Sequence, residues 1–193
     1  MTLSDVTRDA ETVRTDPVAH GGTVWLTGLP SSGKSTIAQG VADRLRAAGR
    51  PVEVLDGDVV RRNLCRDLGF SRADREENVR RVGFVARLLA AHGVTVLVPV
   101  IAPYANSRAE VRAEHSANGV AFAEVYVATP VDVCSQRDVK GLYAKQRAGA
   151  LTGLTGVDDP YDPPTDPDLH VLTHTQSVAE SVDAVYALVT PAA

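Results

Sequence analysis

The stretch TVWLTGLPSSGKSTIAQGVADRL, residues 23–45, limits what this chain can become more than any other segment. A β-branched apolar run enters a turn in which Gly28 and Gly33 bracket four residues. Lys34 and Ser35 follow, and a helix-like pattern begins at once. Glycine lets a backbone curl until successive N–H groups face one centre, and the helix behind adds the positive end of its dipole. Such a nest holds an anion. Lys34 has the reach to touch the β and γ phosphates of a nucleotide, and the Ser35 hydroxyl suits Mg²⁺. A plain glycine turn with a surface lysine would need neither the strand before it nor the helix after it. Gly28, Leu29, Pro30, Ser31, Ser32, Gly33, Lys34, Ser35 and Thr36 are therefore expected to bind a nucleoside triphosphate, with Ser35 as metal ligand and Mg²⁺ as cofactor.

Beyond this segment, strand-like runs (23–28, 52–56, 94–101, 121–127, 169–172) alternate with helix-like ones (34–48, 58–67, 74–92, 106–116, 130–138, 177–189). That rhythm predicts an α/β fold, a P-loop NTPase-type parallel sheet flanked by helices. VTVLVPVIA at 94–102 is apolar nearly throughout, as a strand covered on both faces must be. A chain of 193 residues suits one domain. We take it as 21–193, with residues 1–20, which lack periodicity, as a flexible tail. Residues 138–168 break the rhythm, being rich in Gly, Pro and Asp. A connection that long in a compact domain predicts a lid, over about 138–165.

Composition narrows the partners. With 20 basic and 24 acidic residues the net charge is −4, so no broad basic field draws nucleic acid or an anionic membrane, and any anion site is local. The apolar runs are far shorter than a bilayer span, and the N-terminus is polar rather than signal-like, which predicts a soluble cytoplasmic protein. Cys65 and Cys134 are the only cysteines. Both fall on helix-like segments and are expected to be buried, reduced thiols. His170 and His174 lie in HVLTH, read as strand, where positions i and i+4 stand about 13 Å apart, too far to share an ion.

The loop alone does not separate a GTPase, a motor and a small-molecule kinase. A GTPase would add a base-reading NKxD, which is absent, and a motor would show a strand ending in adjacent acids. Here PVEVLDGD ends in Asp56 and Asp58, which suits a kinase that positions an acceptor hydroxyl and a metal. In DGDVVRRNLCRDLGFSRADREENVRR, residues 56–81, Asp58 would accept or hold the acceptor's proton. Arg61, Arg75 and Asn78 would bind a second, anionic substrate. The plainer alternative is a solvated, charged helix face with its caps. Phosphoryl transfer needs the transferred charge neutralised, and Arg137 with KGLYAKQR supplies cations at the base of the lid. The three lysines of the chain, Lys34, Lys140 and Lys145, all fall in these motifs.

GLPSSGKST, LDGD, LGFSRADREENVRR, VIAPY, RDVKGLYAKQRAG and LTGVDDPYDPP stand in the order and spacing of the adenylylsulfate (APS) kinase family, which the chain resembles over about residues 21–190. The resemblance implies a P-loop kinase that uses ATP to phosphorylate the 3′-hydroxyl of APS, giving 3′-phosphoadenylylsulfate (PAPS) and ADP in sulfate assimilation. It implies Lys34 and Asp58 as catalytic groups, Arg137 on the ATP side, and a homodimer. The APS pocket would comprise Asp56, Asp58, Arg61, Phe70, Arg75, Asn78, Ile101 and Lys140, with Phe70 on one face of the adenine and Leu154 on the other. Two departures stand out. IAPYA replaces the common ISPYR, so Ala102 cannot carry a phosphoserine and Ala105 lacks an arginine's contact. LTGV replaces FTGI, so Leu154 is expected to weaken or broaden acceptor selection. These departures keep open a kinase for a related nucleotide or specialised metabolite. A non-catalytic APS- or PAPS-sensing domain is the other reading, against which the intact loop and Asp58 argue.

Overall fold

The computed structural model describes residues 21–190; the expected N-terminal tail lies outside them. In chain order the elements are β1 (Gly22–Thr27), α1 (Lys34–Ala47), β2 (Val52–Val54), α2 (Gly57–Asn63), α3 (Arg72–Ala90) and β3 (Thr95–Pro99). There follow α4 (Ala105–Ala117), β4 (Phe122–Val127), α5 (Val131–Arg137), α6 (Leu142–Arg147), β5 (Leu169–Val171) and α7 (Val178–Val189). Five strands form one sheet in the order β2-β3-β1-β4-β5, every pairing parallel. The expected α/β architecture is what forms.

Period-two alternation sorts the core. On β1, Val24 and Leu26 face α1 and α7, while Trp25 faces α3 and α4. On β3, Leu97 joins the first layer and Val96 and Val98 the second. Both strands are buried along their full length, which is why they read as continuous apolar runs. Each Val or Leu so buried contributes about 1.5–3 kcal/mol. Polar signals set the helix starts. Ser71 accepts from the Asp74 N–H at 3.2 Å, and Ser177 forms a capping box with Glu180.

One polar pair ties the second layer to the sheet. His115 on α4 is fully buried, and burial pushes its pKa below the usual imidazole value. The neutral ring donates from Nδ1 to the Val111 carbonyl at 2.8 Å and accepts at Nε2 from the Thr23 hydroxyl at 2.9 Å.

Three sequence-based expectations need correction. The helix expected over 58–67 ends at Asn63, so Cys65 sits in the connection beyond it; both cysteines are nevertheless buried and free. The strand through HVLTH stops at Val171, and His174 lies in the turn that follows, so the strand-spacing argument does not apply to it. The segment 138–168 is not all loop, because α6 occupies Leu142–Arg147.

Candidate active site

A parallel sheet gathers its functional loops beyond the carboxyl ends of its strands. That edge carries a cleft of about 680 Å³. Each strand delivers something to it: β1 the glycine loop, β2 Asp56 and Asp58, β3 Ile101, β4 the approach to Arg137, and β5 a turn holding Thr173 and Gln176.

The loop's shape depends on its glycines. Gly28 sits at φ 151, and a Cβ there would lie 2.6 Å from the Val127 carbonyl oxygen. Gly33, at φ 106, precedes α1 without any side-chain cap, so the first-turn N–H groups of a 14-residue helix stay free to face an anion. Lys34 is buried, and its Nζ donates to the carbonyls of Gly28 (2.8 Å) and Leu29 (2.7 Å) and to Ser32 Oγ (3.3 Å). Burial pulls its pKa down to about 7.

Beside the loop, the Ser35 hydroxyl donates to Asp56 Oδ2 at 2.7 Å, while Asp56 Oδ1 caps α2 by accepting from the Asp58 N–H at 3.0 Å. A hydroxyl and a carboxylate oxygen converge here, the hard donors that Mg²⁺ takes. Asp56, expected among substrate contacts, is thereby also placed against Ser35, the expected metal ligand. Asp58 faces Lys140, whose ammonium donates to its Oδ2, with both side chains more than half exposed.

The other end of the cleft is built by α2, α3 and the connection between them. Phe70 is 68% exposed, and the Arg61 guanidinium lies 4.4 Å from its ring centre. Arg75 is a strut: it donates to the carbonyls of Phe70 (2.9 Å) and Gly153 (2.7 Å) and to Thr155 Oγ1 (3.0 Å), fastening residues 153–155 to α3. Asn78 Oδ1 is buried with no hydrogen-bond partner among the described residues. Such an orphan acceptor is costly unless a ligand donates to it.

Of the residues singled out in the sequence, Pro30 to Thr36, Asp56, Asp58, Arg61, Phe70, Arg75, Asn78, Ile101, Arg137 and Lys140 line this one cleft. Gly28 and Leu29 stand behind it. Leu154 does not reach it and is a correction: it is 5% exposed, packed with Cys134 and Tyr143 in a small apolar cluster. Its apolar side chain lowers its free energy more by filling that cluster than by facing water in the cleft. Arg137 donates to Thr173 Oγ1 at 2.8 Å and to the Thr173 carbonyl at 2.6 Å. Sequence reasoning missed Thr173, Gln176, Val178 and Val139. The available signal was their place just after a strand or inside the lid. Val139, Phe70 and Val178, at 78%, 68% and 58% exposed, are the most exposed large apolar side chains among the described residues, and all three line the cleft.

The adenylylsulphate kinase family matches this chain over residues 20–172. An adenylyl-sulfate kinase of Synechococcus sp. (strain JA-3-3Ab) is 56% identical over 166 residues, covering 86% of this chain and 92% of the relative. Among solved structures, the APS kinase of Mycobacterium tuberculosis in complex with AMPPNP and APS superposes with a TM-score of 0.85 at 49% identity, over 88% of this chain and 98% of the other. A hexameric APS kinase from Thiobacillus denitrificans gives 0.66 at 34% identity, over 89% of this chain and 29% of the other.

Proposed function

The chain belongs to the adenylylsulphate kinase family, and from that premise we propose how it moves the γ-phosphoryl group of ATP to the 3′-hydroxyl of APS, giving PAPS and ADP. One observation carries the reading. A single cleft holds a phosphate loop and, linked to it through Asp56 and Asp58, an exposed aromatic platform with a buried, unpartnered amide oxygen. It has a donor end and an acceptor end.

At the donor end the N–H groups of Ser31 and of Gly33 to Thr36 surround the phosphates, and Lys34 exchanges Ser32 Oγ for a phosphate oxygen while keeping the loop carbonyls. Arg137, Thr173 and Val178 flank the donor nucleoside. Ser35 and Asp56 are the residues that would hold Mg²⁺. Bound there, the metal neutralises charge on the transferred group. At the acceptor end Phe70 stacks on the adenine of APS, Arg61 and Arg75 favour its anionic phosphosulfate, and Asn78 Oδ1 accepts from a donor on the substrate. Asp58 takes the proton of the 3′-hydroxyl as the oxygen attacks in line, and Lys140 leaves Asp58 for the charge that develops.

The test supplies ATP, Mg²⁺ and APS and follows ADP and PAPS together. Equal yields of the two support the reading. ADP formed without PAPS, or unchanged turnover with a 3′-deoxy acceptor, would remove it. We infer further a cytoplasmic homodimer. In support, Phe84 and Leu88 lie one turn apart and exposed on α3, and a relative of known structure is multimeric. Among the described residues no helix is long and apolar enough to cross a membrane. Sedimentation at micromolar concentration tests the oligomer, and a purely monomeric boundary would exclude it.

A further inference from the structure

A phosphate nest turns its N–H groups toward the ligand, and a planar trans peptide cannot do so without sending the carbonyl before it the opposite way. Outward carbonyls of a buried loop each need a donor. The carbonyls of Gly28 and Leu29 are served from inside the loop by Lys34. The Pro30 carbonyl is served from elsewhere: the Tyr143 hydroxyl of α6, in the lid, donates to it at 3.1 Å. Tyr143 is 2% exposed, so water offers no substitute. Burial also lifts its phenol above the ordinary range, which keeps it a donor.

The hydroxyl is held in place from two directions. Asp138 accepts from the backbone N–H of Tyr143 (3.0 Å) and of Ala144 (2.9 Å), fixing the first turn of α6. The ring packs with Cys134 and Leu154, and Leu29 of the loop lies against the same cluster. Leu29 also rests on Gly156, where a Cβ would come within 2.4 Å of its methyl group. The lid therefore grips the back of the phosphate loop at two points, while Lys140 works at the front.

The geometry points to Tyr143 as a positioning residue for the donor phosphates. Its hydroxyl fixes the Pro30 carbonyl and, across the same peptide plane, the Ser31 N–H that faces away from it. Ser31 itself sits at φ 62, a left-handed conformation that a non-glycine residue keeps only when its surroundings hold it. The lid thus sets the donor site from behind. This deepens the phosphate-loop reading above and rests on it.

Tyr143→Phe deletes the one hydroxyl and keeps the ring. Calorimetric titration should show ADP binding weakened by up to about 12-fold, the ceiling that one lost hydrogen bond sets, while APS affinity measured without nucleotide stays unchanged. Pyrophosphate, which has no base, should show the same loss in competition with ADP. That split between donor and acceptor is what general loosening would not produce. Unchanged ADP and pyrophosphate affinity overturns the proposal, and so does an equal loss for ADP and APS. Failure of the unaltered protein to bind ADP would instead remove the phosphate-loop reading itself, so the two failures are distinct.

Discussion

Asp58 and Lys140 meet with both side chains more than half exposed, so their attraction is weakened by water and is cheap to open. That suits the proposed mechanism, in which the two part when the acceptor arrives. Asp58→Asn keeps the size and removes the charge. We expect APS binding within about threefold of the unaltered protein and turnover lower by about 100-fold or more, as for a lost general base. Lost APS affinity with unchanged residual turnover would make Asp58 a binding group. Leu154 calls for the opposite expectation from the one its motif suggests. Were it over the acceptor base, Leu154→Phe would complete an aromatic sandwich. Packed instead with Cys134 and Tyr143, the larger ring overfills a closed cluster and should cost about 1–3 kcal/mol of stability, with no gain in APS affinity. Urea unfolding and APS titration of this variant check both halves.

Among the elements, the lid and α4 carry distinct consequences. The segment 138–165, expected to be a lid, joins the cleft through Lys140, the phosphate loop through Tyr143 and α3 through Arg75, so bound nucleotides and its order should be coupled. Limited proteolysis within residues 138–165 should slow when ADP and APS are both present, and equal cleavage with and without them would contradict closure. For α4 the relevant group is His115, neutral when folded because burial lowers its pKa. The unfolded chain takes up a proton there near pH 6.5, whereas the folded chain does not. The unfolded state therefore binds more protons below that value, and stability falls as pH drops through it. Denaturant titrations at stepwise lower pH should show this loss. In His115→Gln, less stable overall, the histidine part of the slope should vanish. An unchanged slope would place the acid sensitivity elsewhere.

At the scale of the whole molecule, ligands that bind only the folded state raise its stability by mass action. ADP with Mg²⁺ at 100 times its dissociation constant should add about 2.7 kcal/mol to unfolding. Lys34→Ala should fold but gain far less at the same ADP concentration, and an equal gain in a thermal melt would detach Lys34 from the donor site. The sheet, the helices other than α6, and the positions of the glycine loop and of Asp56 with Asp58 at the strand ends were legible in the residues, because each is local: period-two burial, a glycine turn after a strand, a capping acid at a helix start. Long-range placement was not. The glycine- and proline-rich signal of 138–168 concealed α6, whose first turn depends on Asp138 reaching forward to the N–H groups of Tyr143 and Ala144. Leu154 belongs to a motif whose spacing says nothing about which way the side chain turns, and the apolar cluster around Cys134 settled that. Thr173, Gln176 and Val178 reach the cleft only because β5 lies beside β4 in a parallel sheet, bringing its carboxyl end to the same edge as β1. The sequence by itself determined the form of the loop and the class of fold, since those follow from contacts between near neighbours in the chain. Only the tertiary structure decided which distant segments share the cleft and which hold the loop from behind, because burial and the pairing of buried carbonyls are settled by the folded neighbourhood.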